Sequence, residues 1–220
     1  MRTIKVTGTG TVKLPPDMMR LCLELTGKNK DYGKALQMSS DDTGVLRTVF
    51  EELGFAKEDL KTLSFSADPV YEGYEDKQGR WRQRFTGYEY HHRLKLDFPF
   101  DNDRLGKILY RLAKAKVDPE FSVNYTVKDP EAAKNRLLAA AVTDAAKKAE
   151  VLASAAGVKL SCIQNIDYSI ALPEMEVHPA RKLMAMNDAA YGGAEESMDL
   201  NIQPEEIVVN DTVTVTWELG

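Results

Sequence analysis

The residues with the greatest capacity for chemistry are two adjacent histidines, a triplet of alternating arginines and two distant cysteines. His91 and His92 fall in an alternating run, so a strand sends them to opposite faces and they cannot share a metal. His178 lies alone in irregular chain. A general acid–base role for His91 or Glu89 needs a partner across a pocket, and a solvated strand face is the stronger reading. Cys22 and Cys162 lack metal-ligand spacing and read as small core or strand residues that need not pair. Gly8-Thr9-Gly10 is followed by more strand pattern and then by Pro15-Pro16, not by the helix start that a phosphate cradle requires, so these glycines mark a bulge or a close backbone approach. Glu195-Glu196 and Glu205-Glu206 read as solubilising charge. No catalytic, cofactor or metal constellation assembles from these types.

Arg80, Arg82 and Arg84 share one face of a strand pattern, with Trp81 and Phe85 on the other. Basic residues interleaved with aromatics can grip a nucleic-acid backbone while bases stack. Here the aromatics point away from the arginines, and the chain carries 29 basic against 34 acidic residues for a net charge of −5. Nucleic acid is therefore disfavoured as a partner, and an edge strand guarded by charge is preferred. Met184 and Met186 belong to the stretch 173–204, which shows no sustained period; methionines there can form an adaptable contact surface.

The elements that position these residues are marked in the sequence. Residues 3–14 and 19–25 alternate as two strands, and the Pro15-Pro16-Asp17 turn between them suggests a hairpin. A helical period runs from Asp31 to Leu53, stopping at Gly54. A strand starts at Lys61 and closes at Asp68-Pro69, and residues 72–79 read as a turn. From Arg80 to Phe98 the apolar set moves from odd (Trp81, Phe85) to even positions (Tyr88, Tyr90, Leu94, Leu96, Phe98). One regular strand cannot do this, so a bend is expected at Gly87 and Tyr88. A second helix spans 101–115, and a strand follows at 121–127.

The longest pattern is Asp129–Gly157. Asp129 suits the N-cap, Pro130 the first turn and Gly157 the stop. Its apolar stripe contains Ala141, Ala145 and Ala149, small residues that allow close packing against a sheet or a second subunit. The units 19–69 and 90–130 both run strand, helix, strand, Asp-Pro, a faint internal repeat. Residues 161–172 and 207–219 complete the strands. The longest apolar run, 137–142, is far short of a membrane span, and the opening residues alternate at once with no hydrophobic signal core. These features give the expectation of a cytoplasmic chain without a membrane partner.

The order and spacing of several short stretches resemble the SIMPL domain family, which includes bacterial periplasmic immunogenic proteins. They are Ile4-Lys5-Val6-Thr7-Gly8-Thr9-Gly10 with Pro16-Asp17, Gly54-Phe55 leading to Asp59-Leu60-Lys61-Thr62, Pro69-Val70-Tyr71, Gly87-Tyr88, the helix end Leu152 to Val158, and Val213-Thr214-Val215-Thr216-Trp217. The resemblance implies a mixed α and β fold, homo-oligomers and no established enzymatic activity, and it transfers no catalytic motif.

Strands with one apolar and one polar face, together with three helices, define an α+β protein with an antiparallel or mixed sheet. Residues 1–220 read as one domain, with two lobes as the alternative. The expected function is a non-catalytic, self-assembling binding or scaffold protein whose partner is a second copy or an unidentified protein. The alternatives are a nucleic-acid-binding protein using Arg80, Arg82 and Arg84, and a small-molecule enzyme with an unrecognised pocket.

Overall fold

A computed structural model describes residues 2–168, 176–177 and 202–220. Met184 and Met186 lie outside the described residues. The chain is α+β. Its elements are β1 (Thr3–Leu14), β2 (Met18–Asn29), α1 (Tyr32–Glu52), β3 (Leu60–Glu75), β4 (Trp81–Pro99), α2 (Asn102–Ala113), β5 (Glu120–Thr126), α3 (Pro130–Ala155), β6 (Leu160–Tyr168), β7 (Glu176–Val177) and β8 (Ile207–Leu219). They divide into two compact units, one holding β1, α3, β6 and β8, the other running from β2 to most of β5.

In the first unit the sheet order is β1-β8-β6, with antiparallel neighbours. The expected hairpin between residues 3–14 and 19–25 does not form: β1 pairs along its whole length with β8, while β4 and β5 occupy both edges of β2. Val6 and Val12 face Val215 and Val209 across that ladder, which joins the two apolar faces in register. Pro15 and Pro16 lack the N–H groups that would help close a tight turn. The two-residue β7 pairs with the end of β5 at Tyr125 and Thr126.

The helix α3 lies along β1 and β8. Asp129 caps it by accepting from the Ala132 N–H at 2.8 Å. Its buried residues are Ala133, Leu137, Ala141, Ala145, Ala149 and Ala153. Spacing of four advances about 40° around the helix at each step, so the buried stripe winds around the rod and follows a twisted sheet. Leu152, three residues past Ala149 and off this stripe, is half exposed.

Close packing explains the strand glycines. A Cβ on Gly8 would collide with the Ala141 carbonyl and sit 2.7 Å from Ala145 Cβ, and one on Gly10 would collide with the Leu137 carbonyl. The helix also guards the outer edge of β1. Asp144 Oδ2 accepts from the Thr9 N–H at 2.8 Å, and Lys148 bridges to Asp144 at 2.7 Å while donating to the Thr7 carbonyl at 3.5 Å.

In the second unit the strands run β3-β4-β2-β5, with two strand–helix–strand halves. This is the split βαβ arrangement. Met19, Leu21, Leu23 and Leu25 of β2 pair with Phe98, Leu96, Leu94 and His92 of β4, and α1 packs on these two strands. Phe50, Phe55 and Phe98 meet edge to face, with centroids 6.1 and 5.9 Å apart. On the opposite face Arg20 grips Asp97 directly across the ladder, Nε to Oδ1 at 2.7 Å and Nη2 to Oδ2 at 3.0 Å. Lys95 joins Asp97 at 3.2 Å.

The strand expected to close at Asp68-Pro69 continues to Glu75. It lies at the sheet edge, where a proline loses no ladder bond if its nitrogen faces outward. The turn shortens accordingly. Asp76 N–H donates to the Arg80 carbonyl and Gly79 N–H to the Asp76 carbonyl.

Candidate functional site

Two features of the second unit stand apart from core packing. The first is the hairpin that β3 and β4 extend beyond Gly87. Val70 pairs with Gly87 but Tyr71 with Phe85, so Thr86 is squeezed out of the ladder and β4 changes phase. Gly87 has φ +146°, and a Cβ there would lie 2.6 Å from the Asn29 carbonyl oxygen. Only glycine fits both conditions.

Beyond this bulge one face carries an aromatic chain. Tyr71 meets Phe85 at 5.7 Å, Phe85 meets Tyr88 at 5.2 Å, and Tyr88 meets Tyr32 of α1 at 5.2 Å. Trp81, near the tip, is 79% exposed, and Tyr71 and Phe85 are also exposed. The arginine triplet follows the other alternation. Arg80 and Arg82 bond the Asp76 carboxylate at 3.2 and 2.8 Å, and Arg84 stands over the Tyr74 ring at 5.9 Å. The Arg82 hydrogen bond, then the Arg80 backbone, holds the Asp76 carboxyl below its usual range. Two of the three arginines thus spend their charge within the hairpin.

The second feature is a polar cluster under α1 that sequence reasoning missed. His92 belongs to the even, helix-facing set of β4. His91 faces the other way, toward Glu24 at 3.4 Å and Glu89 at 3.9 Å. His92 Nδ1 lies 3.1 Å from both Ser39 Oγ and Thr43 Oγ1, and Nε2 lies 2.9 Å from Thr62 Oγ1. Thr43 Oγ1 already donates to the Ser39 carbonyl at 2.7 Å. With its one proton committed, that hydroxyl can only accept from the imidazole, so Nδ1 carries the proton and Nε2 accepts from Thr62. Burial, then the Arg47 charge, lowers the His92 pKa and keeps the ring neutral. Phe65 packs edge-on against the ring at 5.2 Å.

Nearby, buried Tyr90 donates its hydroxyl to Asp42; burial, then Asp42, raises its pKa. The cluster has a signal in the sequence, since Ser39, Thr43 and Arg47 recur every four residues beside the Leu46 and Phe50 stripe, and a histidine interrupts an apolar strand face. Chemically, Nε2 is a lone pair that holds a hydroxyl proton at an exposed strand edge.

The remaining expected site residues are placed as follows. Ala141, Ala145 and Ala149 are wholly buried within their own unit, against β1 and β8. Cys22 and Cys162 form no disulfide among the described residues, and Cys162 is exposed.

A one-sided antiparallel sheet carrying two helices, and a second sheet crossed by an alanine-faced rod, define an α+β class. The chain belongs to the SIMPL family, described as a protein of unknown function (DUF541), which matches residues 4–217. It is 28% identical over 178 residues to the 26 kDa periplasmic immunogenic protein of Brucella melitensis, covering 81% of this chain and 70% of that protein. It is 24% identical over 216 residues to the uncharacterized protein YggE of Escherichia coli K12, covering 98% and 82%.

The Brucella relatives are named for the periplasm, and this overturns the cytoplasmic expectation. The alternation of residues 3–14 reports the strand β1 that they form, not the compartment they reach. Among the described residues no helix is long and apolar enough to cross a membrane.

Proposed function

We propose that this chain is a non-catalytic, self-assembling binding or scaffold protein of the periplasm. The observation that carries the reading is the β3–β4 hairpin, where Trp81, Tyr71 and Phe85 stand exposed on an arm that no helix among the described residues covers. Contiguous exposed aromatics of this kind are typical of protein–protein contact. The outer side of β3, which pairs with no other strand among the described residues, adds the exposed side chains of Leu63 and Phe65. An edge of this kind offers pairing to a second copy. The periplasmic part of the reading rests on the names of the Brucella relatives.

Native mass measurement across micromolar concentrations tests the assembly. A defined oligomer supports it, and a strict monomer throughout defeats it. Nucleic-acid binding is the weaker reading, since Asp76 already pairs with Arg80 and Arg82.

A further inference from the structure

Beyond the Thr86 bulge the β3–β4 ladder runs on for five residue pairs, from Tyr71–Phe85 to Glu75–Trp81, and among the described residues no third strand lies beside it. All ten residues are exposed, so neither face of this ribbon rests on the core of its unit. Aromatic side chains stand on both faces. Trp81 lies over Gly73, with its ring 3.5 Å from where a Cβ would sit, on the face that carries Tyr71 and Phe85. Tyr74 stands on the other face under Arg84. A flat protein partner covers one face of a ribbon, whereas a fluid layer receives its end from both sides. Charge also sets the tip apart. Residues 75–84 hold four cations, Lys77, Arg80, Arg82 and Arg84, against two acids, Glu75 and Asp76, in a chain of net charge −5. Arg80 and Arg82 share the Asp76 carboxylate, and charges paired in this way leave water at lower cost than isolated ones. Lys77 and Arg84 are exposed and held by no carboxylate among the described residues. The turn closes its own backbone bonds, from the Asp76 N–H to the Arg80 carbonyl and from the Gly79 N–H to the Asp76 carbonyl.

We propose that the tip of the β3–β4 hairpin docks on a lipid surface with anionic headgroups, Trp81 and Tyr74 seating in the headgroup layer and Lys77 and Arg84 lying against its phosphates. Trp and Tyr suit that layer because each joins an apolar ring to one polar group, and each free cation adds attraction to the anionic surface. The contact is peripheral: five residue pairs reach about 17 Å at ~3.4 Å per residue, well short of a hydrocarbon core of about 30 Å. The inference goes beyond the assembly reading and does not rest on it, since a monomer presents the same tip.

Sedimentation of the full chain with vesicles of phosphatidylcholine and phosphatidylglycerol, and separately with vesicles of phosphatidylcholine alone, tests the contact, with tryptophan emission read in parallel. Trp217, the second tryptophan of the chain, is buried in the first unit, so a change in emission reports Trp81. Saturable binding to the anionic vesicles, weaker binding to the neutral ones and a blue shift of the emission support the proposal. Trp81→Ala should weaken binding roughly tenfold or more, and Lys77→Gln and Arg84→Gln about fivefold each. No binding to anionic vesicles at low salt overturns the proposal, as does equal binding to both vesicle types. A Trp81→Ala chain that changes its oligomeric mass but binds vesicles as before assigns the tip to contact between copies, and it too overturns the proposal. If Trp81→Ala disturbs the hairpin, the comparison rests on Lys77→Gln and Arg84→Gln, and unchanged binding in both is equally fatal.

Discussion

Gly8 lies so near Ala145 that a methyl group on the glycine would sit 2.7 Å from the alanine Cβ. The neighbours on either side are helix backbone, the Ala141 carbonyl and the Ala145 N–H. Backbone cannot swing aside as a long side chain can. Gly8→Ala and Ala145→Leu should each destabilise the first unit by about 1–3 kcal/mol, as overpacking does. Chemical denaturation of the two variants checks this. Unchanged stability in both would show that α3 is not seated on β1.

Asp97 sets an acid limit on stability. Burial alone would raise its pKa, but the hydrogen bonds from Arg20 and then Lys95 outweigh burial and lower it below the ordinary 3.8. A carboxyl lowered in the fold contributes stability that is complete above the ordinary value and is lost as pH falls through the lowered one. Asp97→Asn should therefore flatten the decline in stability below about pH 4. Melting curves between pH 2 and 6, compared with the unsubstituted chain, measure the difference.

His92 acts at higher pH with the same sign. Its lowered pKa means that the unfolded chain, with an ordinary value of 6.5, binds the proton more readily than the fold does. The contribution is complete above pH 6.5 and declines as pH drops below it. Nitrogen NMR should find Nδ1 protonated and Nε2 bare at neutral pH, and Thr62→Val should perturb Nε2 more than Nδ1. The reverse tautomer would contradict the hydrogen-bond order around Thr43.

The arm makes its own prediction. Replacing Trp81 and Phe85 together with alanine should leave the fold intact, because both side chains are exposed. It should shift the mass distribution toward smaller species. An unchanged distribution would place the assembly contact elsewhere.

Gly87 should tolerate nothing larger. With φ at +146° and the Asn29 carbonyl 2.6 Å from any added Cβ, Gly87→Ala should cost at least about 1–3 kcal/mol. It should also disturb pairing between β4 and the end of β2, visible as faster amide exchange near Asn29.

Periodicity made the elements legible, while partnership between them was hidden. Residues 3–14 alternate well enough to define β1, yet alternation carries no address, and the partner was the last strand of the chain rather than the next. Asp68-Pro69 has the look of a stop because a proline ends a central strand; at an edge it does not. The phase change in residues 80–98 was readable, since an apolar face cannot switch parity in a regular strand. The His92 cluster is hidden in the sequence because each member has an ordinary local reading. Ser39 and Thr43 pass for helix-surface residues until β4 is laid beneath α1.

The winding stripe of α3 constrains how this chain can change length. Each residue added within the helix turns everything after it by about 100°. An insertion near Lys147 would carry Ala149 and Ala153 off the sheet and bring charged neighbours toward it. Length variation among relatives is therefore expected at the ends of the rod and in its flanking loops, while its middle keeps a fixed count of residues.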